Sequence, residues 1–395
     1  MLSPERFPLR PEALAAPSSG IVEVFDYGRN RPGLLPLWVG EGDRATPSFI
    51  IEAASRSLAA GETFYTHQAG IPPLREAIAA YLTRMSGQKV GAERIFVTNG
   101  GMHALQIAVR MTSGPGDEVI VPTPAWPNFR GALEVAGATT REVPMRFGNS
   151  GWQLEIDDIA RAITPRTRAL CINSPANPTG WTATLDEVRA MLALARKHGL
   201  WIIADEIYGQ FFHDAPRAPS FRDLMTEEDR ILFVQTFSKN WAMTGWRMGW
   251  LEAPPALAQV IINLIQYSSS GTPVFAQRAG IAALEGGDSF IVEQVRQAKL
   301  NRDQLITTLS AVPGFRLATP PGAFYLFFGV EGATDTRALA FDLIDHAGVG
   351  LAPGTAFGTG GEGFLRLCYL RKGEDVAEAA NRLAARIRAR AVAHA

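Results

Sequence analysis

Residues 168–208 read RALCINSPANPTGWTATLDEVRAMLALARKHGLWIIADEIY, and their pattern decides the fold. Two continuous apolar runs, Arg168–Pro175 and Trp201–Tyr208, flank one amphipathic helix whose apolar residues recur at 3.6 spacing. Gly199 is its stop signal. A strand with no polar face is covered on both sides, and a helix joining two such strands makes them parallel.

The same alternation extends in both directions. RIFVTNG from Arg94 predicts a strand and GMHALQIAVRMTS a helix, then DEVIVPTPAW a strand and NFRGALEVAGA a helix. TTREVPM is extended, LEIDDIARAI helical, and ILFVQTF from Ile231 a third strongly apolar strand. Beyond Val274 long helical stretches lead to two further strands, GFRLATPPGAFYLFFGV and GFLRLCYL, and to an Ala/Arg-rich C-terminal helix. The fold class is α/β: a large domain with a mostly parallel sheet covered by helices on both faces, plus a smaller α+β domain. The predicted bounds are 1–43 for an irregular, Pro-rich arm that joins the small domain, 44–287 for the large domain and 288–395 for the small one.

Composition narrows the function classes. Lys+Arg is 38 against Asp+Glu 39 in 395 residues, so no bulk charge points to nucleic acid or to a membrane surface. No apolar run reaches a bilayer-spanning length and no basic-then-apolar leader opens the chain, which leads us to expect a cytoplasmic protein. Cys171 and Cys368 sit in apolar runs as buried hydrophobes, and neither they nor the six histidines have metal-ligand spacing.

Only five lysines occur, and Lys239 stands apart. It follows an apolar strand within Thr236-Phe237-Ser238-Lys239, with Arg247 eight residues on. Burial lowers an amine's pKa, and a neutral amine condenses with an aldehyde to a Schiff base. The hydroxyls of Thr236 and Ser238 with the Arg247 guanidinium suit a phosphate. Asp205 and Tyr208 close the strand WIIADEIY; the carboxylate could keep a pyridine nitrogen protonated and the phenol could bond a ring oxygen. Asn177 lies in the turn Asn-Pro-Thr-Gly after the preceding strand. Gly100, Gly101 and Met102 lead into a helix whose N-terminus could take a phosphate. Trp126 could stack on a flat ring. Arg366, between Leu365 and Leu367, needs an anionic partner if buried.

Read singly, each has a plain structural explanation: a turn, a cap, a packed ring or an ion pair. Together, VGEGD around Gly40, YTHQAG, TNGGM, PTPAWPNF, NSPANPTG, ADEIY, TFSKNWAMTGWRMGW and FLRLCYL resemble, in order and spacing over almost the whole chain, the class I and II aminotransferases. The resemblance implies pyridoxal phosphate as cofactor and transfer of an amino group from an L-amino acid to a 2-oxo acid by a ping-pong route. It implies Lys239 as Schiff-base lysine and proton shuttle, Asp205 at the pyridinium nitrogen, and Asn177 and Tyr208 at the ring oxygen. It also implies a phosphate site at Gly100, Gly101, Met102, Thr236, Ser238 and Arg247, and substrate carboxylate on Arg366 and the Gly40 backbone. Relatives are homodimers, and by resemblance alone Tyr65 would reach the partner's phosphate. Met102 stands where relatives selective for acidic substrates carry lysine, and Trp126 where many carry tyrosine. Arg29 and Arg31 are candidates for side-chain recognition, more simply read as surface charges. The alternative reactions are β-elimination from a sulfur amino acid and, in another class, ligand sensing by a regulatory domain.

Overall fold

The computed structural model describes residues 7–394. Seven strands make the main sheet: β1 Ile95–Thr98, β2 Glu118–Thr123, β3 Thr139–Pro144, β4 Thr167–Asn173, β5 Trp201–Asp205, β6 Ile231–Thr236 and β7 Gly249–Glu252. Their order is β1-β7-β6-β5-β4-β2-β3. The five strands from β6 to β3 pair in parallel, while β7 pairs antiparallel with both β1 and β6. The expected parallel sheet is therefore present with one reversed strand the sequence reading had not marked. Its cause is the connection from β6, which turns back at the strand ends without the helix a parallel crossover requires.

Alternate residues of the central strands bury on opposite faces, as the pleat dictates. Ile203, Leu232 and Val234 pack under α1 (Gly101–Thr112), through Leu105, Ala108 and Val109. Ile202, Ile231 and Phe233 pack under α2 (Leu185–His198), through Val188, Met191 and Leu192. A capping box between Thr184 and Glu187 starts α2, and Gly199, at φ 65°, ends it where the sequence placed the stop.

The second sheet contains β8 Phe315–Arg316, β9 Tyr325–Val330, β10 Ala352–Pro353 and β11 Phe364–Cys368, all antiparallel, in the order β8-β9-β11-β10. It shares one core with α3 (Asp288–Ser310), α4 (Thr336–Ala347) and α5 (Gly373–His394), through residues such as Leu305, Leu343, Val376 and Leu383. The arm is less irregular than expected. Gly20–Gly28 is a helix, and Leu35–Pro36 pairs in parallel with Val349–Gly350. Gly28 and Gly350 are the close-approach points: a Cβ on either would lie 2.6 or 2.1 Å from the buried Trp38 indole. This packing ties the arm to the small domain.

Among the described residues no helix is long and apolar enough to cross a membrane, and no group of three or more metal-ligating side chains gathers.

Candidate active site

Strand register puts the chemistry at one rim. Asn173 lies beside Asp205, and Asp205 beside Val234, so the turns after β4, β5 and β6 leave the sheet together. There they bound a cavity of about 530 Å³, closed from above by Tyr325 and Arg366 of the second sheet and by Ile21, Val22 and Phe25 of the arm helix. Ligands of open α/β sheets bind beyond such carboxyl strand ends.

Lys239 points into this cavity, and its Nζ donates to the Gly40 carbonyl at 2.7 Å. Burial pulls the amine down to about 8 from 10.5, with the charges of Arg366 and Arg247 acting the same way. The amine is thus far more often neutral at physiological pH than a solvated lysine would be.

Asp205, 2% exposed, accepts the Ile207 N–H at 3.3 Å. Burial pushes the carboxyl up to about 7 against the opposing pull of that N–H and of Lys239. No cation pairs with it among the described residues. A protonated ring nitrogen would supply that missing partner. Tyr208 is buried, which holds its hydroxyl well above the usual phenol range, and that hydroxyl lies 2.7 Å from the hydroxyl of Tyr325.

A candidate anion cradle is built from backbone and hydroxyls. Gly100, at φ 84°, turns the chain into α1, and a Cβ there would meet the Arg247 guanidinium at 2.8 Å. Arg247 itself takes a left-handed φ of 52° and donates to the Thr244 carbonyl at 2.7 Å. The Thr236 and Ser238 hydroxyls are bonded to each other at 2.8 Å beside the free N-terminus of α1. Arg247 has no acidic partner among the described residues, so its charge is available to a ligand.

Arg366 is the clearest case. It is 2% exposed, donates to Asn177 Oδ1 at 2.9 Å and to the Trp38 carbonyl, and lies 4.7 Å over the Tyr325 ring. No carboxylate touches it among the described residues, and its Nε has no hydrogen-bond partner. An internal ion pair was the bland explanation for this arginine, and the structure does not contain one. With its Oδ1 engaged, Asn177 keeps its Nδ2 without a partner among the described residues.

The cavity therefore gathers Gly40, Gly101, Met102, Trp126, Asn177, Asp205, Tyr208, Thr236, Ser238, Lys239, Arg247 and Arg366. Gly100 stands just behind it, shaping the turn. Tyr65 does not reach it and is 96% exposed. Arg31 pairs with Asp345 and Arg29 with Asp26, so neither reaches the cavity and the surface reading of both stands. The sequence reading missed Tyr325 and the arm residues; in GAFYLFFGV every residue reads as core, and nothing local marks the tyrosine as lining a cavity.

Residues 33–383 match the family model for class I and II aminotransferases. The chain belongs to that family. It is 34% identical over 92% of its length, and 93% of the relative, to an aspartate aminotransferase of Pyrococcus horikoshii. It is 36% identical over 89% of both chains to an arginine–pyruvate transaminase of Pseudomonas aeruginosa. Among solved structures, a single mutant of Thermus thermophilus aspartate aminotransferase superposes with a TM-score of 0.90 at 33% identity, covering 96% of this chain and all of that one. The protein is a pyridoxal-phosphate-dependent aminotransferase of the aspartate aminotransferase-like fold. These relatives favour transamination over β-elimination.

Proposed function

We propose that transamination runs at the rim cavity, with Lys239 as cofactor anchor and proton carrier and Arg366 as receptor for the substrate α-carboxylate. The observation that carries this is the pair itself: a lysine whose amine burial pulls down to about 8, beside a buried arginine with no acid of its own among the described residues. Pyridoxal phosphate, when bound, supplies an aldehyde for the lysine and a protonated ring that accepts the electrons left behind when the substrate α-proton departs.

The chain's own groups do the rest. The cradle of Gly101, Met102, Thr236, Ser238 and Arg247 fits the phosphate, with Gly100 giving the turn its shape. Asp205 would keep the ring nitrogen protonated, Asn177 and Tyr208 would hold the ring oxygen, and Trp126 would cover the ring. Arg366, with the Gly40 backbone, fixes the substrate carboxylate and so aims the α-hydrogen at Lys239. Once freed by the substrate amine, the Lys239 amine would be placed to take that α-proton and to deliver it to the cofactor carbon on the other side of the amino nitrogen. Apolar residues of the arm helix exclude water above this exchange.

Lys239, Arg247 and Arg366 are the only cations lining the cavity among the described residues, and two are committed to anions. With Met102 where an acid-selective relative has lysine, we read the substrate as not restricted to acidic amino acids. We also place the domain bounds at 44–287 for the large unit, with 1–43 and 288–395 forming the small one.

We further infer a homodimer. Phe64 and Tyr65 on one segment and Tyr267 on the adjacent one are 84, 96 and 88% exposed, and Gln68 bonds Gln266 between them. Such an aromatic patch suits an interface. It is tied to the start of α1 by His103–Ser268 and Asn99–Thr272 hydrogen bonds, which supports Tyr65 reaching the partner's phosphate. Two buried, unbridged cysteines support a cytoplasmic setting.

The test is the half-reaction. With an amino acid alone, the loaded enzyme should convert its cofactor stoichiometrically to the amine form and release one keto acid. Catalytic release of ammonia with keto acid would contradict the proposal.

A further inference from the structure

A second cavity, of about 440 Å³, lies against the first and shares Ser19, Met102, Trp126, Pro127 and Asn128 as a common wall. Val121 and Thr123 of β2 and Thr140 and Glu142 of β3 line it. Residues two apart on a strand face the same way, so Thr123, Thr140 and Glu142 stand on the same side of the sheet edge. Arm residues 16–20 and the loop 355–358 bound it from outside.

Two hydroxyls here are unsatisfied. Thr123 is 3% exposed, and neither its hydroxyl nor that of Thr140 has a hydrogen-bond partner among the described residues. Buried hydroxyls without partners are unusual and mark a place where something is missing. Glu142 accepts the Thr359 N–H through Oε2 at 3.0 Å, while Oε1 takes no hydrogen bond among the described residues. Arg130 is the cation on this wall, and it is held by Glu134 at 2.6 Å. The groups left without a partner are thus one carboxylate oxygen and two hydroxyls, beside the amides of Gln106 and Asn128, and of these only the carboxylate is limited to accepting.

We propose that this cavity receives the far end of the substrate side chain, and that it takes a long chain ending in N–H donors, an ammonium or a guanidinium. The proposal rests on reading the first cavity as the site of the α-carboxylate and α-amine. From there the apolar stem crosses Ile21, Val22 and the edge of Trp126, and the terminal donors reach Glu142, with the Thr123 and Thr140 hydroxyls turning to meet them about χ1. Amphipathic chains of this kind bury their stem and keep a polar head for polar partners. A site built to hydrogen-bond a terminal group discriminates strongly against an analogue lacking it, because its own groups are then left unpaired.

L-Lysine and L-norleucine share a carbon chain and differ by the terminal ammonium, so they isolate the claim. With cofactor-loaded enzyme and pyruvate as acceptor, kcat/KM for L-lysine should exceed that for L-norleucine by roughly tenfold or more. Glu142→Gln should lower that ratio about tenfold and Thr140→Val about threefold, the scale of a lost charged or neutral hydrogen bond. A wild-type ratio at or below one, or a ratio unchanged in both variants, overturns the subsite while leaving transamination of L-alanine in place. Absence of turnover with every amino acid, L-alanine included, would instead refute the reading of the first cavity, and the subsite with it.

Discussion

Two arginines are buried to nearly the same degree, and their surroundings differ in one respect. Arg222 lies under the sheet, 6% exposed, with both terminal nitrogens on the wholly buried Glu252 and its guanidinium 4.5 Å over Phe233. Arg94 adds a third charge at 3.4 Å from Glu252. Arg366 lies above the strand ends, also over an aromatic ring, but its partners are neutral and its Nε has none. A buried cation with an acid beside it is part of the framework. A buried cation without one is, on the function proposed above, half of a pair whose other half arrives from solution.

This contrast can be broken by substitution. Glu252→Ala leaves Arg222 and Arg94 facing an empty site and should cost about 3–5 kcal/mol of stability, read from the denaturation midpoint. A loss below about 1 kcal/mol would mean that water already serves these arginines. Arg366→Leu removes a charge that has no internal partner, so its stability should change by at most about 1 kcal/mol. Its kcat/KM should fall roughly a hundredfold for every amino acid, since a charge-assisted anchor is lost. If Arg366→Leu unfolded the protein as readily as Glu252→Ala, the distinction would collapse.

The titration of Lys239 sharpens the same idea, because burial without a paired acid also shapes its amine. With the amine at about 8, the neutral fraction rises about tenfold between pH 7 and 9 and then levels, whereas an amine left at 10.5 would gain about a hundredfold with no levelling. The rate at which apoenzyme captures pyridoxal phosphate should follow the first curve. The linkage has a definite sign. Between pH 8 and 10.5 the unfolded chain holds a proton that the folded chain has released, so this group's contribution to stability grows as pH rises through that window. The smallest effect belongs to Tyr325→Phe, which removes the hydroxyl 2.7 Å from Tyr208. Turnover should drop by roughly fivefold, the worth of one neutral hydrogen bond, with stability nearly unchanged.

Much of this was legible before any coordinates. Continuous apolar strands separated by an amphipathic helix can be arranged in few ways, and polar residues directly after such strands must meet at one edge. That is why Asn177, Asp205 and Lys239 could be placed together from sequence. β7 was hidden because Gly-Trp-Leu-Glu follows Arg247 so closely that it reads as the tail of the turn that carries this arginine. Its direction depends on a crossover that is missing, which no residue type announces. Glu252 was hidden for a related reason: its partners Arg94 and Arg222 are distant in sequence, and only sheet order joins them. The arm helix escaped notice because six prolines among the first forty residues mask the helical run between Ser19 and Gly28. Arg366 was recognised as needing an anion, but whether that anion was internal required the packing around it.

With only five lysines in the chain, the central claim has a direct measurement. Enzyme loaded with pyridoxal phosphate is reduced with borohydride, digested, and its peptides weighed. The account predicts the reduced cofactor on the peptide carrying Lys239 and on no other. Its appearance on Lys89, Lys197, Lys299 or Lys372, or an unlabelled Lys239 in an enzyme that still turns over, would contradict it.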